Sequence, residues 1–225
     1  MSEDYNFLII TTSEIEYRFI QQTFQNVKSL DERRSEFSLN TKKCMILRAD
    51  PGIFNIGYFL LRELMSHKFE LVINAGICGS FREDLPTGTV ARVETDCFAD
   101  IGTEDGKNLF EMGLMKSDEY PFREGILHDH PGDFTRLYLD LPAVNAITVN
   151  RVTRSTPNFT FLRAKYRPDI ETMEGASFFF VCAMERCNYV QIRAVSNIVG
   201  EGDRSKWDIE TAMAALSETL KKTIR

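Results

Sequence analysis

The residues best placed to do chemistry stand in two short runs late in the chain, Glu171-Thr172-Met173-Glu174-Gly175-Ala176 and Arg193-Ala194-Val195-Ser196-Asn197. Glu174 puts a carboxylate at the mouth of a strongly apolar helix predicted over 175–186. There the helix dipole favours negative charge, and an anion can accept hydrogen bonds from hydroxyl groups. Asn197 closes a buried strand predicted from 190 in a neutral amide. It offers one acceptor and two donors to a polar ring edge but has no proton to give up as an acid. A third group, Glu16, follows Ser13 by three residues. The two could form a capping box at a helix start, or the carboxylate could orient and deprotonate water as a general base. Glu14 and Glu171 are the competing acids, and Glu171 is expected at the surface.

These groups need elements to hold them. Short apolar runs alternate with segments of helical period, which predicts one α/β domain over 1–225: three α/β/α layers around a central mixed sheet. Phe7 to Ile10 reads as a first strand, followed by a helix from Glu14 to Phe24 with Ser13 as N-cap. A second amphipathic helix, 56–67, feeds an apolar strand over 71–74 that ends at a glycine loop, Ala75-Gly76-Ile77-Cys78-Gly79. Further strands are expected at 90–93 and 146–149, and a last helix is capped by Asp208. The Gly-, Asp- and Pro-spotted stretch between Asp96 and Pro142 reads as long active-site loops. In such sheets ligands bind beyond the carboxyl ends of the strands. Those ends are Thr11–Ser13, Asn74–Gly79, Asn150–Thr153, Thr172–Glu174 and Ser196–Asn197.

Composition narrows the function classes. Net charge is −6 with no basic run, which argues against a nucleic-acid partner. No apolar stretch reaches the roughly 20 residues of a membrane span, and the start Met1-Ser2-Glu3-Asp4 is acidic where a signal peptide is basic. A cytoplasmic protein is expected. The five cysteines are scattered without a Cys-x-x-Cys pair and read as small apolar residues. His128-Asp129-His130, beside Pro131-Gly132, reads as a solvated turn. Neither a metal nor a cofactor is expected.

Four segments, in order, resemble the purine nucleoside phosphorylase and nucleosidase superfamily: Ile9-Ile10-Thr11-Thr12-Ser13-Glu14-Ile15-Glu16, Val72-Ile73-Asn74-Ala75-Gly76-Ile77-Cys78-Gly79, Thr172-Met173-Glu174-Gly175-Ala176, and Arg193-Ala194-Val195-Ser196-Asn197. Within it, Glu171–Ala176, Ile192–Asn197 and Arg204-Ser205-Lys206-Trp207 are most similar to hydrolases on an alternative route to menaquinone. Those enzymes free hypoxanthine from a nucleoside whose 5′ carbon bears an aryl-carboxylate chain.

The resemblance implies an N-glycosyl hydrolase acting on a small nucleoside, in a homodimer or higher homo-oligomer. It implies that Glu174 holds the ribose hydroxyls, that Met173 packs on the sugar, and that Glu16 activates water. Members that release adenine carry Asp where this chain has Asn197. An amide there suits a 6-oxopurine, accepting from N7–H and donating to O6. Phosphorylases hold phosphate with an Arg and a Ser in the glycine loop around Gly76; the matching residues here are Asn74 and Ile77. The purine is expected near Val152 and Thr153. For the 5′ chain the candidates are Phe54, Phe98 and Phe159 as aromatic walls and Arg151, Arg154, Arg204 and Lys206 as cations. Alternatives are an inosine or guanosine phosphorylase, a methylthioadenosine/S-adenosylhomocysteine nucleosidase, or a catalytically inactive nucleoside-binding protein.

Overall fold

The computed structural model describes residues 4–224. Strand β1 (Asp4–Thr11) lies in the middle of the sheet, with Phe7 to Ile10 fully buried, as a parallel strand covered on both faces requires. It pairs in parallel with β4 (Lys42–Arg48) on one edge and β5 (Lys68–Ser80) on the other. Beyond β4 the sheet continues antiparallel through β3 (Arg34–Leu39) and β2 (Lys28–Ser29).

β5 is thirteen residues long and runs straight through Gly76–Gly79, so the expected glycine loop is strand. That length gives β5 three partners. β10 (Tyr189–Ile198) lies parallel along one edge, whereas the opposite edge carries β1 first and then β9 (Ile170–Thr172), antiparallel at Gly79 and Ser80. β6 (Val90–Phe98) joins β10 antiparallel, and β8 (Ala143–Thr148) joins β6 and β9 in parallel. The mixed sheet therefore closes a ring through β5, β10, β6, β8 and β9. A register shift interrupts β10: Val195 pairs with Cys78 and Asn197 with the next residue, Gly79, leaving Ser196 as an extra residue in a bulge.

Alternation along β1 divides the core. Phe7 and Ile9 pack with Tyr17 and Ile20 of α1 (Glu14–Thr23) and Leu216 and Leu220 of α5 (Ile209–Ile224). Leu8 and Ile10 face Ile56 and Leu60 of α2 (Ile53–Ser66) and Phe178 and Phe179 of α4 (Gly175–Met184). The expected α/β/α layering follows from that period of two. The strands over 28–48 and α3 (Thr156–Tyr166) were not expected. β3 buries only Phe37 and Ser35, and α3 only Leu162, too few apolar positions for a period to show, whereas β4 buries the unbroken apolar run from Cys44 to Leu47, which carries no period at all.

Two loop expectations change. Leu127–His128 forms strand β7 against Thr95 and Asp96, so the histidine cluster sits on a sheet edge rather than in a solvated turn. Asp129 there lies 3.6 Å from Arg92, and burial pushes its carboxyl up to about 6. The stretch from Ala99 to Pro142 packs elsewhere than the cavity described next and contributes no residue to it.

Candidate active site

At the carboxyl ends of β1, β5, β9 and β10 lies a cavity of about 280 Å³. Ser13 caps α1, accepting from the Glu16 N–H at 3.2 Å, and its hydroxyl donates back to Glu16 Oε2 at 2.8 Å. The same oxygen accepts from Thr11 Oγ1 at 3.0 Å and from the Thr12 N–H at 3.3 Å, while Oε1 accepts from the Ile77 N–H of β5 at 2.9 Å. The capping partnership thus forms without withdrawing Glu16 from the site. It clamps the carboxylate at the cavity wall, 3% exposed.

Glu174 is the N-cap residue of α4, and its Oε1 accepts from the Gly52 N–H at the start of α2 at 3.0 Å. Burial raises its carboxyl above the ordinary range. Arg193 and the Gly52 N–H oppose that rise, and the negative charge of Glu16 adds to it. Arg193, fully buried on β10, is the cation these acids share. A methyl group on Gly76 would stand 2.5 Å from Arg193 Nη1 and 2.6 Å from Glu16 Oε1, so only glycine lets the guanidinium and the carboxylate approach across β5. Behind them, Gln191 Oε1 accepts from Arg193 Nε and Nη2 and from Asn74 Nδ2. Asp96, fully buried, sits behind Gln191, and burial pushes its carboxyl up to about 7.

Asn197 stands four residues further along β10 than Arg193, beside Gly79. Ser196 Oγ donates to its Oδ1 at 2.9 Å, and its Nδ2 donates to the Ile198 carbonyl at 3.1 Å. Each end of the amide keeps one hydrogen-bonding position for a ligand. Cys78 also lines the cavity, but burial holds its thiol up at about 12, which leaves no thiolate for nucleophilic work.

Of the residues expected from sequence, Glu16, Ile77, Val152, Met173, Glu174 and Asn197 all line this one cavity. Gly76 and Thr153 stand behind its wall, the latter donating its N–H to Glu171. Asn74 also lies behind, bonded to Gln191. Among the 5′ candidates, Arg154 and Arg204 line the cavity, joined by Trp207. Lys206 is paired with Glu201, Arg151 lines a separate groove, Phe54 is exposed on α2, Phe98 lines an apolar recess with Phe110 and Phe122, and Phe159 packs against Phe81. That groove is larger, about 610 Å³, but faces the Ala99–Gly106 loop and shares only Val152 and Arg154 with the acid-lined cavity. Glu171, expected at the surface, is instead buried in the cavity wall, because β9 pairs it with β5. Sequence reasoning also missed the place of Arg193; the signal was a pair of polar residues, Gln191 and Arg193, spaced by two inside an otherwise apolar strand. Among the described residues, no cluster of His, Cys, Asp and Glu could hold a metal ion, and no helix is long and apolar enough to cross a membrane.

The ringed mixed sheet, with two carboxylates around a buried arginine at its strand ends, is the fold that solved nucleosidases share. Residues 6–225 match the Phosphorylase superfamily, and the chain belongs to that superfamily. Two relatives bear the name futalosine hydrolase. The chain is 28% identical to the one from Streptomyces coelicolor over 68% of its own length and spans 65% of that protein. It is 23% identical to the one from Thermus thermophilus over 79% of its length, spanning 80% of that protein. Among solved structures, the native futalosine hydrolase of Helicobacter pylori superposes with a TM-score of 0.82 at 15% identity, covering 100% of this chain and 98% of that one. The 5′-methylthioadenosine/S-adenosylhomocysteine nucleosidase of Helicobacter pylori reaches 0.81 at 15% identity, covering 98% and 97%. At such identities the superpositions speak for the fold.

Proposed function

We propose that the chain, as one catalytic domain, hydrolyses the N-glycosidic bond of futalosine, yielding hypoxanthine and dehypoxanthine futalosine for menaquinone synthesis. The observation that carries the reading is the single cavity in which Glu16, Glu174 and Arg193 face the amide of Asn197.

Cleavage passes through a ribosyl cation of oxocarbenium character. Glu174 accepts hydrogen bonds from the ribose hydroxyls, and its charge stabilises the cation while Met173 packs on the sugar. Glu16 orients a water molecule and takes its proton as the oxygen bonds to C1′. The C1′–N9 bond breaks with its electron pair going to the base, which leaves neutral because N7 has gained a proton from solvent. Asn197 then accepts from N7–H and donates to O6. Adenine would set its exocyclic amine against an amide donor, at about 1–3 kcal/mol per unpaired group.

Water rather than phosphate fits the wall at Ile77, which offers neither charge nor hydroxyl; Arg193 gives its Nε and Nη2 to Gln191, and its Nη1 lies with Glu16 Oε1 at Gly76, beside the water that Glu16 would hold. Arg154 and Arg204 have no ion-pair partner among the described residues and suit the carboxylate of the 5′ chain, with Trp207 beside its ring. A homodimer or higher assembly is part of the reading. Phe54, Tyr58, Leu61 and Met65 leave an exposed apolar stripe along α2, at the spacing of one helix face.

The test is chromatography of the bases released from futalosine, inosine and methylthioadenosine, each with and without phosphate. Hypoxanthine from futalosine, independent of phosphate, is the expected result. Adenine release would overturn the reading of Asn197, and a requirement for phosphate would overturn that of Ile77.

A further inference from the structure

Glu171 is the acid in the cavity to which the proposed reaction gives no task. Its carboxylate is 7% exposed, and burial raises its pKa against the opposing effect of Thr153. Oε1 accepts from the Thr153 N–H at 3.0 Å. Oε2 is buried with no hydrogen-bond partner among the described residues. A buried acceptor left in that state is costly, more so when charged, unless a ligand supplies the donor.

The sheet register indicates which ligand atom does so. Gly79 of β5 pairs with Asn197 of β10 on one side and with Glu171 of β9 on the other. Cross-strand neighbours in register project from the same face, and the middle member has no side chain. Strands lie ~4.8 Å apart, so the amide and the carboxylate rise from backbones about 10 Å apart over a glycine floor. A methyl group on Gly79 would come within 2.9 Å of Val199 and 3.2 Å of Asn197 Nδ2, narrowing the slot from below. The result is a flat-floored gap with a polar group at each side, suited to a planar heterocycle.

We infer that Glu171 Oε2 accepts the N1–H of a 6-oxopurine whose N7 and O6 edge faces Asn197, so that the base is read from both sides across Gly79. The inference rests on the 6-oxopurine reading above. Hypoxanthine carries a hydrogen on N1, whereas adenine carries a lone pair there, which would face a carboxylate oxygen acceptor to acceptor. Glu171 and Asn197 therefore discriminate on the two sides of C6=O6, at N1 and at N7, and their effects multiply.

Calorimetric titration of the full chain with hypoxanthine, 1-methylhypoxanthine and adenine at about pH 8, where an ordinary carboxyl is ionised, tests this without turnover. The wild type is expected to bind 1-methylhypoxanthine at least ~10-fold more weakly than hypoxanthine. Glu171→Gln keeps the Thr153 contact through its carbonyl and turns an amide donor toward N1. It should lose ~10-fold or more for hypoxanthine and narrow or reverse the preference over adenine. Equal binding of the two hypoxanthines by the wild type, or none of either, overturns the inference, and neither result depends on a variant folding. Hypoxanthine release from futalosine alongside equal binding would defeat Glu171 alone. Discrimination against the methylated base with no release from futalosine would defeat the proposed reaction and leave Glu171 standing.

Discussion

Asp96 Oδ2 accepts from Gln191 Nε2 at 3.0 Å, which turns Gln191 Oε1 toward the guanidinium of Arg193. A carboxylate on one side and a cation on the other admit one orientation of that amide. The neutral Gln191 thus separates two buried opposite charges while bonding to both. Asp96 is held a second time by Thr148 Oγ1 at 2.9 Å.

Replacing Gln191 by Leu keeps the volume roughly but strands Arg193, Asp96 and Asn74 without their common partner. A loss of about 3–5 kcal/mol is expected, the cost of leaving a buried charge uncompensated. Urea unfolding measures it; a loss under about 1 kcal/mol would mean that the network is dispensable.

Asp96 should also write itself into the pH dependence of stability. Its carboxyl rises from the ordinary 3.8 to about 7 on folding, so between those values the folded chain holds a proton that the unfolded chain has lost. Stability therefore falls as pH rises through that window, by at most about 4 kcal/mol, and the full cost is present above about pH 7. Asp96→Asn removes the titration. Urea midpoints of the wild type, compared with this variant, should drop from about pH 4 to pH 7 and then level. A constant offset would assign the titration to another group.

Glu16→Gln should separate chemistry from binding. Turnover is expected to fall by about 10²–10⁴-fold, the usual contribution of a general base, while hypoxanthine affinity by calorimetry changes only a few-fold. Retained turnover would move water activation to another residue, and absent turnover in the wild type would point to a nucleoside-binding protein.

Gly76→Ala inserts a methyl group where Arg193 and Glu16 nearly meet. Displacing either should cost about 1–3 kcal/mol of stability and about 100-fold in kcat/KM, since small misplacements at a reacting centre are expensive. Base preference should stay as in the wild type, because Asn197 stands beside Gly79, three residues along β5, and is not among the groups that a methyl on Gly76 would meet. Unchanged kinetics would show that the close approach has no bearing on catalysis.

Much of this site could be read directly from the sequence. Glu16, Met173, Glu174 and Asn197 sit beside local signals, a helix cap or a strand end, that survive without knowledge of neighbours. Glu171 could not be placed in this way. Its position depends on pairing with Gly79, ninety-two residues earlier in the chain, and a three-residue strand has too short a period to announce that it is buried. Arg193 was hidden for a related reason: a charge inside a strand looks like an error until Gln191, Asp96 and the two glutamates surround it. The glycine run at 76–79 misled because glycine ordinarily marks a turn, whereas here it marks close passage between side chains of adjacent strands.

The bulge at Ser196 carries a consequence beyond local geometry. Counted by twos, Asn197 belongs with Arg193 and Val195, and an unbroken strand would set Ser196 beside Gly79 and send the amide to the opposite face. One surplus residue of backbone thus decides which letter of the chain is displayed to the ligand. On the proposed reading of Asn197, selectivity is therefore written in length as well as in side chains, and a change of frame within β10 would exchange the base accepted while every other residue of the cavity kept its name.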